Sequence, residues 1–188
     1  MARLAPATLA RKAAQVRLLA LDVDGVLTDG RLYFGARGES LKAFDVRDGL
    51  GIRLLLDAGI EVAIITGRSS PIVAARAREL GIARVLQGQR DKHAALQRLL
   101  RAARVSAGAC AYMGDDWPDL PVLAAVGLAT TVADAPDEVK RCAHWIAPSP
   151  GGRGAVRELA MLLLRAQGRF DALLEAACQP AGTRVGPG

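Results

Sequence analysis

The hydrophobic residues of this chain fall into two alternating patterns. Short apolar runs bounded by turn-forming or acidic residues are typical of strands buried in a parallel sheet. Such runs cover residues 16–23, 61–66, 83–88, 109–116, 126–132 and 144–147. Longer segments with apolar residues at helical spacing cover residues 49–58, 70–80, 91–104, 118–125, 135–141 and 154–168. This alternation predicts an α/β fold, a Rossmann-like three-layer αβα arrangement with helices on both faces of a parallel sheet.

The segments outside this alternation are short. Residues 31–46 hold two β-rich pieces around a turn at Gly35 and Gly38, which predicts a small β-hairpin that could cover a pocket. Residues 1–15 predict an amphipathic lead-in helix. The tail at 169–188 ends rich in Pro and Gly, and we expect it to be largely disordered. The pattern therefore predicts one main domain over residues 16–168.

The composition predicts a folded, cytoplasmic protein. Hydrophobic residues make up 51% of the 188 positions and charged residues 23%, which provides for one sizeable core. Charges interrupt every apolar run before it reaches membrane-spanning length, and the first residues lack a signal-peptide pattern, so we expect no membrane partner. Cys110, Cys142 and Cys178 are odd in number and widely spaced, which favours reduced thiols in the cytosol.

The net charge of +6 raises the question of a nucleic-acid partner. The arginines are scattered, and aromatic residues, which could stack on bases, make up only 4% of the chain. We therefore expect no nucleic-acid partner. A modest positive field suits an anionic phosphate substrate instead.

The first predicted strand carries the most informative chemistry. It ends in two acids, Asp22 and Asp24, and the carboxyl ends of strands are where open α/β sheets bind their ligands. Both side chains would point the same way if the strand stayed extended, and their carboxylates would repel each other unless a cation or a shared proton intervened. Mg²⁺ prefers hard oxygen ligands of this kind. The segment predicts a metal-assisted aspartate nucleophile with a second Asp as proton donor.

Three further motifs stand at strand or helix ends and supply the rest of a phosphoryl-transfer site. The Thr66 hydroxyl and nearby backbone N–H groups can bind phosphate oxygens, and Lys92 can neutralise charge on the phosphate and on the nucleophile. Asp115 can complete the Mg²⁺ site. We interpret Asp116 as the holder of a coordinated water and Asp119 as a structural partner or a charge at the start of a helix.

These motifs, in this order, are the four-part signature of the haloacid dehalogenase-like phosphatase superfamily. From about residue 18 to residue 168 the chain also resembles the 3-deoxy-D-manno-octulosonate 8-phosphate phosphatase family. The resemblance is carried by DVDGVLTDG, FDVRDGLGI, GIEVAIITGRSS, YMGDDWPDLPVL and GGRGAVRELAMLLLRAQG. It implies a haloacid dehalogenase-like fold without a large cap domain, Mg²⁺ dependence and a homotetramer. The implied reaction releases the free octulosonate and phosphate, for lipopolysaccharide synthesis in Gram-negative bacteria.

The resemblance also implies roles for individual residues. Asp22 matches the nucleophile, Asp24 the acid/base residue that also lends its backbone carbonyl to Mg²⁺, and Asp115 the third metal ligand. Thr66 and Lys92 complete the catalytic set. The implied substrate contacts are Asp24, Asp45, Val46, Arg47, Asp48, Gly49, Arg53, Thr66, Gly67, Arg68, Arg76 and Lys92.

Two other functions stay open at the level of the sequence. Related domains act on other phosphosugar acids, such as the 9-phosphates of nonulosonates, and the residues do not fix the length of the sugar. A non-catalytic phosphosugar-binding or scaffold domain is the alternative from another class. The presence of both Asp22 and Asp24 argues against that alternative.

Overall fold

The computed structural model describes residues 4–179, in which strands and helices alternate as the hydrophobic pattern predicts. The strands are β1 (Leu18–Leu21), β2 (Tyr33–Gly35), β3 (Gly38–Leu41), β4 (Glu61–Ile65), β5 (Arg84–Leu86), β6 (Cys110–Met113), β7 (Leu128–Thr131) and β8 (Trp145–Ile146). The helices are α1 (Pro6–Ala14), α2 (Val46–Asp57), α3 (Pro71–Leu80), α4 (Lys92–Ala103), α5 (Leu120–Leu123), α6 (Asp137–Cys142), α7 (Ala155–Ala166) and α8 (Phe170–Cys178).

Within the described residues, six strands form one parallel sheet in the order β5-β4-β1-β6-β7-β8, and β2 and β3 form the separate hairpin. The chain first winds from β1 towards β5 and then returns to β6 on the other side of β1. Right-handed crossovers therefore place the helices on both faces of the sheet. The direction reverses between β1 and β6, which opens a crevice at their carboxyl ends.

The core consists mainly of aliphatic side chains between the sheet and its two helical layers. Each residue of β1, β6 and β7 is buried, as expected for strands covered on both faces. Helices α1 and α2 both pack against α7, and α4, α5 and α6 form a second group. The predicted fold class is confirmed, including the small hairpin.

Two element predictions differ from the structure. The predicted helix 118–125 is a 3-10 turn at Trp117–Asp119 followed by the short helix α5, because Asp116 and Asp119 form a capping box that ends the preceding loop. The predicted disordered tail contains helix α8, which packs on α7 with Phe170 and Leu173 against the core. Residues 180–188 of that predicted tail lie outside the described residues.

The lead-in helix is present as α1, and residues 1–3 of the predicted segment lie outside the described part of the chain. No helix between residues 4 and 179 combines the length and the apolar character that crossing a membrane requires.

Candidate active site

The carboxyl ends of β1, β4 and β6 surround a cavity of about 370 Å³. The side chains and glycines that line it come from the loops after these strands, from the segment between β5 and α4, and from the start of α4. They are Asp22, Asp24, Thr66, Gly67, Arg68, Gln89, Arg90, Lys92, Asp115, Asp116, Pro118 and Asp119. The structure thus brings together all four motifs that the sequence places at strand or helix ends.

Asp22 is buried beside Lys92 at the floor of this cavity. Its backbone N–H donates to Met113 O at 3.0 Å, which extends the pairing of β1 with β6 and fixes the direction of the side chain. The Lys92 ammonium lies 2.7 Å from Asp22 Oδ2. Burial and the nearby Asp119 carboxylate raise the pKa of Asp22 to about 6, although Lys92 counteracts them.

Asp119 holds this arrangement together from beneath the cavity. Its Oδ1 accepts hydrogen bonds from Lys92 Nζ at 2.7 Å and from the Tyr112 hydroxyl at 2.6 Å. Its Oδ2 accepts from the backbone N–H groups of Asp115 and Asp116 at 3.0 and 3.2 Å. Asp119 therefore fixes both the Lys92 ammonium and the loop after β6, and its acceptor capacity is used by protein donors.

The Asp22 and Asp115 carboxylates have the free oxygens that a metal ion needs. Oxygens of Asp22, Asp115 and Asp119 lie within 4.8 Å of one another. The buried Oδ1 atoms of Asp22 and Asp115 accept no hydrogen bond from any described residue. Burial, and after it the facing Asp22 and Asp119 carboxylates, raise the pKa of Asp115 to about 8, and a bound cation would offset the repulsion between these carboxylates. The residues therefore fit a divalent oxygen-binding ion.

Gly25 allows these acids to approach one another. Its φ of +92° belongs to the left-handed region, and a Cβ at this position would collide with the Asp115 carboxylate. The chain therefore turns sharply directly after Asp24. The segment does not stay extended through Asp24, so the expectation that the Asp22 and Asp24 side chains point the same way does not apply.

Asp24 faces the hairpin and not Lys92. Its Oδ1 accepts a hydrogen bond from Lys42, which follows β3, and its Oδ2 lies 3.8 Å from Arg68 Nε. Arg68 also lies over the Phe34 ring, 5.9 Å from its centroid. Thr66 is buried, and Gly67 and Arg68 continue the rim of the cavity. The hairpin thus lies against the site within its own chain.

Two of the predicted substrate contacts at 45–49, Asp45 and Asp48, cap the starts of helices. Asp45 caps α2 by accepting from Arg47 N at 2.7 Å and pairs with the Arg47 guanidinium, which holds the pKa of Asp45 below its usual value. Asp48 is buried and accepts from the backbone N–H groups of Gly154 and Arg157 at the start of α7. The structure does not bring these residues into the cavity beside Asp22.

The remaining predicted substrate contacts line a second depression, of about 190 Å³, between α2 and α3. Its lining residues are Val46, Gly49, Leu50, Arg53, Arg76, Glu79 and Leu80. None of them lines the larger cavity around Asp22.

Sequence reasoning missed Lys42, Glu39 and Tyr112, which contact the predicted site residues. A charge in a short hairpin is typical of a solvated surface, and a Tyr within an apolar run is typical of the core. Nothing in their local spacing indicates that they reach an aspartate elsewhere in the chain.

The comparisons with known proteins agree with this geometry. Residues 73–159 match a family described as haloacid dehalogenase-like hydrolase. The chain is 49% identical over 161 residues, 86% of each chain, to the 3-deoxy-D-manno-octulosonate 8-phosphate phosphatase KdsC of Yersinia pestis. The chain belongs to the 3-deoxy-D-manno-octulosonate 8-phosphate phosphatase family.

Solved structures of this phosphatase family share the fold over nearly the whole chain. The phosphatase from Moraxella catarrhalis, in complex with a magnesium ion, a phosphate ion and a KDO molecule, is 42% identical with a TM-score of 0.90. The match covers 92% of this chain and 99% of that one. The cobalt-bound phosphatase from Haemophilus influenzae is 46% identical with a TM-score of 0.82, over 84% of this chain and 92% of that one.

Proposed function

We propose that this protein is a Mg²⁺-dependent phosphatase that hydrolyses 3-deoxy-D-manno-octulosonate 8-phosphate to the free sugar acid and phosphate. The observation that carries the proposal is the buried Asp22 carboxylate, with one oxygen on Lys92 and the other free beside Asp115. The Moraxella relative, which holds magnesium, phosphate and KDO together, supports this choice of substrate.

The first half of the reaction transfers the phosphoryl group to the protein. A carboxylate oxygen of Asp22 forms a bond to phosphorus, and the bond between phosphorus and the sugar oxygen breaks. Asp24 gives its proton to that leaving oxygen, so the sugar acid departs as an alcohol. Lys92 offsets the charge on the phosphoryl oxygens, a role supported by its position 2.7 Å from Asp22.

The second half of the reaction restores Asp22. Asp24 takes a proton from a water molecule, whose oxygen then attacks phosphorus. The bond between phosphorus and Asp22 breaks and inorganic phosphate leaves. During both steps Thr66 and Arg68 would hold phosphoryl oxygens, which is supported by their position on the wall of the same cavity.

In this proposal the carboxylates of Asp22 and Asp115 would hold Mg²⁺, which their free oxygens support. The backbone carbonyl of Asp24 would be the third ligand, as the family resemblance implies. When bound, Mg²⁺ supplies positive charge that allows an anionic carboxylate to approach an anionic phosphate.

The same proposal places the enzyme in lipopolysaccharide precursor synthesis in the cytoplasm, which the unpaired, widely spaced cysteines support. It also includes assembly into a homotetramer. The hairpin and the start of α2 expose apolar side chains, among them Phe34 at 64% and Val46 at 79% exposure. Arg53 and Arg76 lie outside the catalytic cavity of their own chain, and we propose that they contact the substrate in the site of a neighbouring copy.

The decisive experiment measures phosphate release by the purified protein. We expect turnover of 3-deoxy-D-manno-octulosonate 8-phosphate with Mg²⁺, and its loss after EDTA treatment. Asp22→Asn keeps the shape of the side chain but removes the nucleophilic carboxylate, so activity should fall by about 10⁴-fold or more. Asp171→Asn, which changes an exposed acid on α8, is the matched control and should keep full activity.

Two results would refute this proposal. One is Mg²⁺-independent activity that survives Asp22→Asn. The other is a clear preference for the 9-phosphate of a nonulosonate over the octulosonate ester, which would overturn the choice of substrate while leaving the chemistry in place.

A further inference from the structure

Lys42 is a buried cation beside the proposed acid/base residue. Its side chain is only 1% exposed, although it directly follows a small hairpin whose large apolar side chains face solvent. Burying an ammonium group is costly unless carboxylates surround it. Lys42 has two such partners, Asp24 Oδ1 and Glu39 Oε1, the second at 3.1 Å.

Glu39 is in turn held in place from a third segment of the chain. Arg68 NH2 lies 3.7 Å from Glu39 Oε1. Although burial alone would raise it, the nearby cations Lys42 and Arg68 help to hold the pKa of Glu39 below its usual value. Glu39 is therefore a second carboxylate that pairs with Lys42.

Two carboxylates and two cations form a cluster that joins the loop after β1 to the hairpin and to the loop after β4. Its members are Asp24, Glu39, Lys42 and Arg68. Lys42 contacts one oxygen of Asp24 and Arg68 approaches the other at 3.8 Å. Lys42 is almost inaccessible to solvent, whereas the Arg68 side chain is 44% exposed. Lys42 is thus the rigid contact of Asp24, and Arg68 is the partner that can turn towards a ligand.

We propose that Lys42 is a positioning residue, which fixes the orientation of the Asp24 carboxyl group so that its second oxygen meets the leaving-group oxygen of the substrate. This inference rests on the proposed function. A carboxyl group free to rotate about its side-chain bonds would spend much of its time away from that oxygen, and misplacement of a catalytic group by about 1 Å can reduce turnover by about 10²-fold.

Two substrates with different leaving groups distinguish a positioning role of Lys42 from a merely structural one. A sugar alkoxide needs the proton from Asp24 as it departs, whereas p-nitrophenolate is a stable anion that needs none. Loss of the orientation of Asp24 should therefore slow sugar phosphate hydrolysis much more than p-nitrophenyl phosphate hydrolysis. A general disturbance of the hairpin or of phosphate binding would slow both.

The test compares Lys42→Met, Lys42→Arg and wild type on both esters. We expect Lys42→Met to lower kcat on the sugar phosphate by about 10²-fold, at least about tenfold more than on the aryl ester, with a smaller change in KM. Lys42→Arg should recover part of the loss, because a guanidinium can still contact Asp24. Arg37→Met, which removes an exposed cation from the turn of the same hairpin, is the control.

A double-variant cycle decides the question on the sugar phosphate alone. If Lys42 acts through Asp24, the variant Lys42→Met/Asp24→Asn should be no slower than Asp24→Asn by itself. Losses that multiply in the double variant, or an equal loss on both esters, would overturn the inference. Circular dichroism and thermal unfolding identify a variant that has lost its fold, and Lys42→Arg then takes its place in the cycle.

The failure of this inference is distinguishable from failure of the proposed function. If the wild-type protein does not release phosphate from the octulosonate ester, the proposed function fails. If wild type does so and the Lys42 variants show no dependence on Asp24, only the positioning role fails.

Discussion

At the scale of single residues, four neighbouring acids differ according to what their oxygens contact. Asp119 has each oxygen occupied by two protein donors. Asp22 and Asp115 each keep a buried oxygen without a protein donor, and Asp24 contacts a lysine of the hairpin. The surroundings alone therefore distinguish these identical carboxyl groups, and the differences support the separate roles proposed for them.

Asp48 provides a prediction of pH-dependent stability away from the metal site. Burial raises its pKa to about 6 from an ordinary value of 3.8, despite the N–H groups of Arg157 and Gly154; the charges of Asp45 and Arg47 act on it in opposite directions. The folded protein thus holds this proton more tightly than the unfolded chain does. Ionised Asp48 opposes folding above about pH 6, and this cost fades as the pH falls through 6 towards 3.8.

We therefore expect the stability of wild type relative to Asp48→Asn to rise by about 2 kcal/mol as the pH falls from about 7.5 to about 4.5. Urea unfolding of both proteins at each pH measures this difference, and the pH-independent loss of a cap cancels from it. A difference that stays constant, or that falls with decreasing pH, would contradict the prediction.

At the scale of elements, the loop before α7 supports the loop that carries Asp24. Gly151 N donates to Asp134 Oδ1, and Gly152 N donates to Val26 O at 2.9 Å. A Cβ at Gly151 would lie directly on the Gly25 carbonyl oxygen. Only glycine allows the two loops to approach this closely, so the position of Asp24 depends on a residue far along the chain.

Gly151→Ala should therefore displace the loop at residues 23–28. We expect the free energy of unfolding to fall by about 3 kcal/mol, since backbone atoms cannot relax as a side chain can. Turnover should fall by about 10²-fold because Asp24 moves. Gly108→Ala is the matched control, because its added Cβ meets nothing closer than Ser106 Oγ at 3.9 Å. Equal stability and turnover of the two variants would disprove this account.

At the scale of the whole molecule, the reversal of strand order between β1 and β6 creates the cavity. Arg53 and Arg76 do not line that cavity, although the family resemblance implies that they contact the substrate. A site shared between subunits of the proposed assembly would explain this. Subunit complementation tests it directly, since a site shared between copies can be rebuilt from two inactive chains.

We expect Asp22→Asn and the double variant Arg53→Ala/Arg76→Ala each to have little activity as separate samples. When they are unfolded, mixed in equal amounts and refolded together, about a quarter of the sites should combine intact residues from both chains. Activity should therefore rise towards about a quarter of wild type. Sedimentation of the mixture verifies that oligomers form. Oligomers without recovered activity, or a fully active monomer, would exclude the shared site.

The sequence by itself determined the order of strands and helices, the fold class, and the collection of Asp22, Thr66, Lys92 and Asp115 at one edge of the sheet. These features follow from short-range patterns, because an apolar run encodes a buried strand and the carboxyl ends of parallel strands meet.

Only the tertiary structure decided which acid is anchored and which is free, that Lys42 contacts Asp24, and that Asp48 caps α7. The Asp48 contact joins positions 109 residues apart. It also decided that residues Phe170–Cys178 form a helix, because the apolar side chains of this segment gain stability by packing on α7. Such contacts form through packing between segments that are distant in the sequence. The local spacing of residues therefore does not predict them.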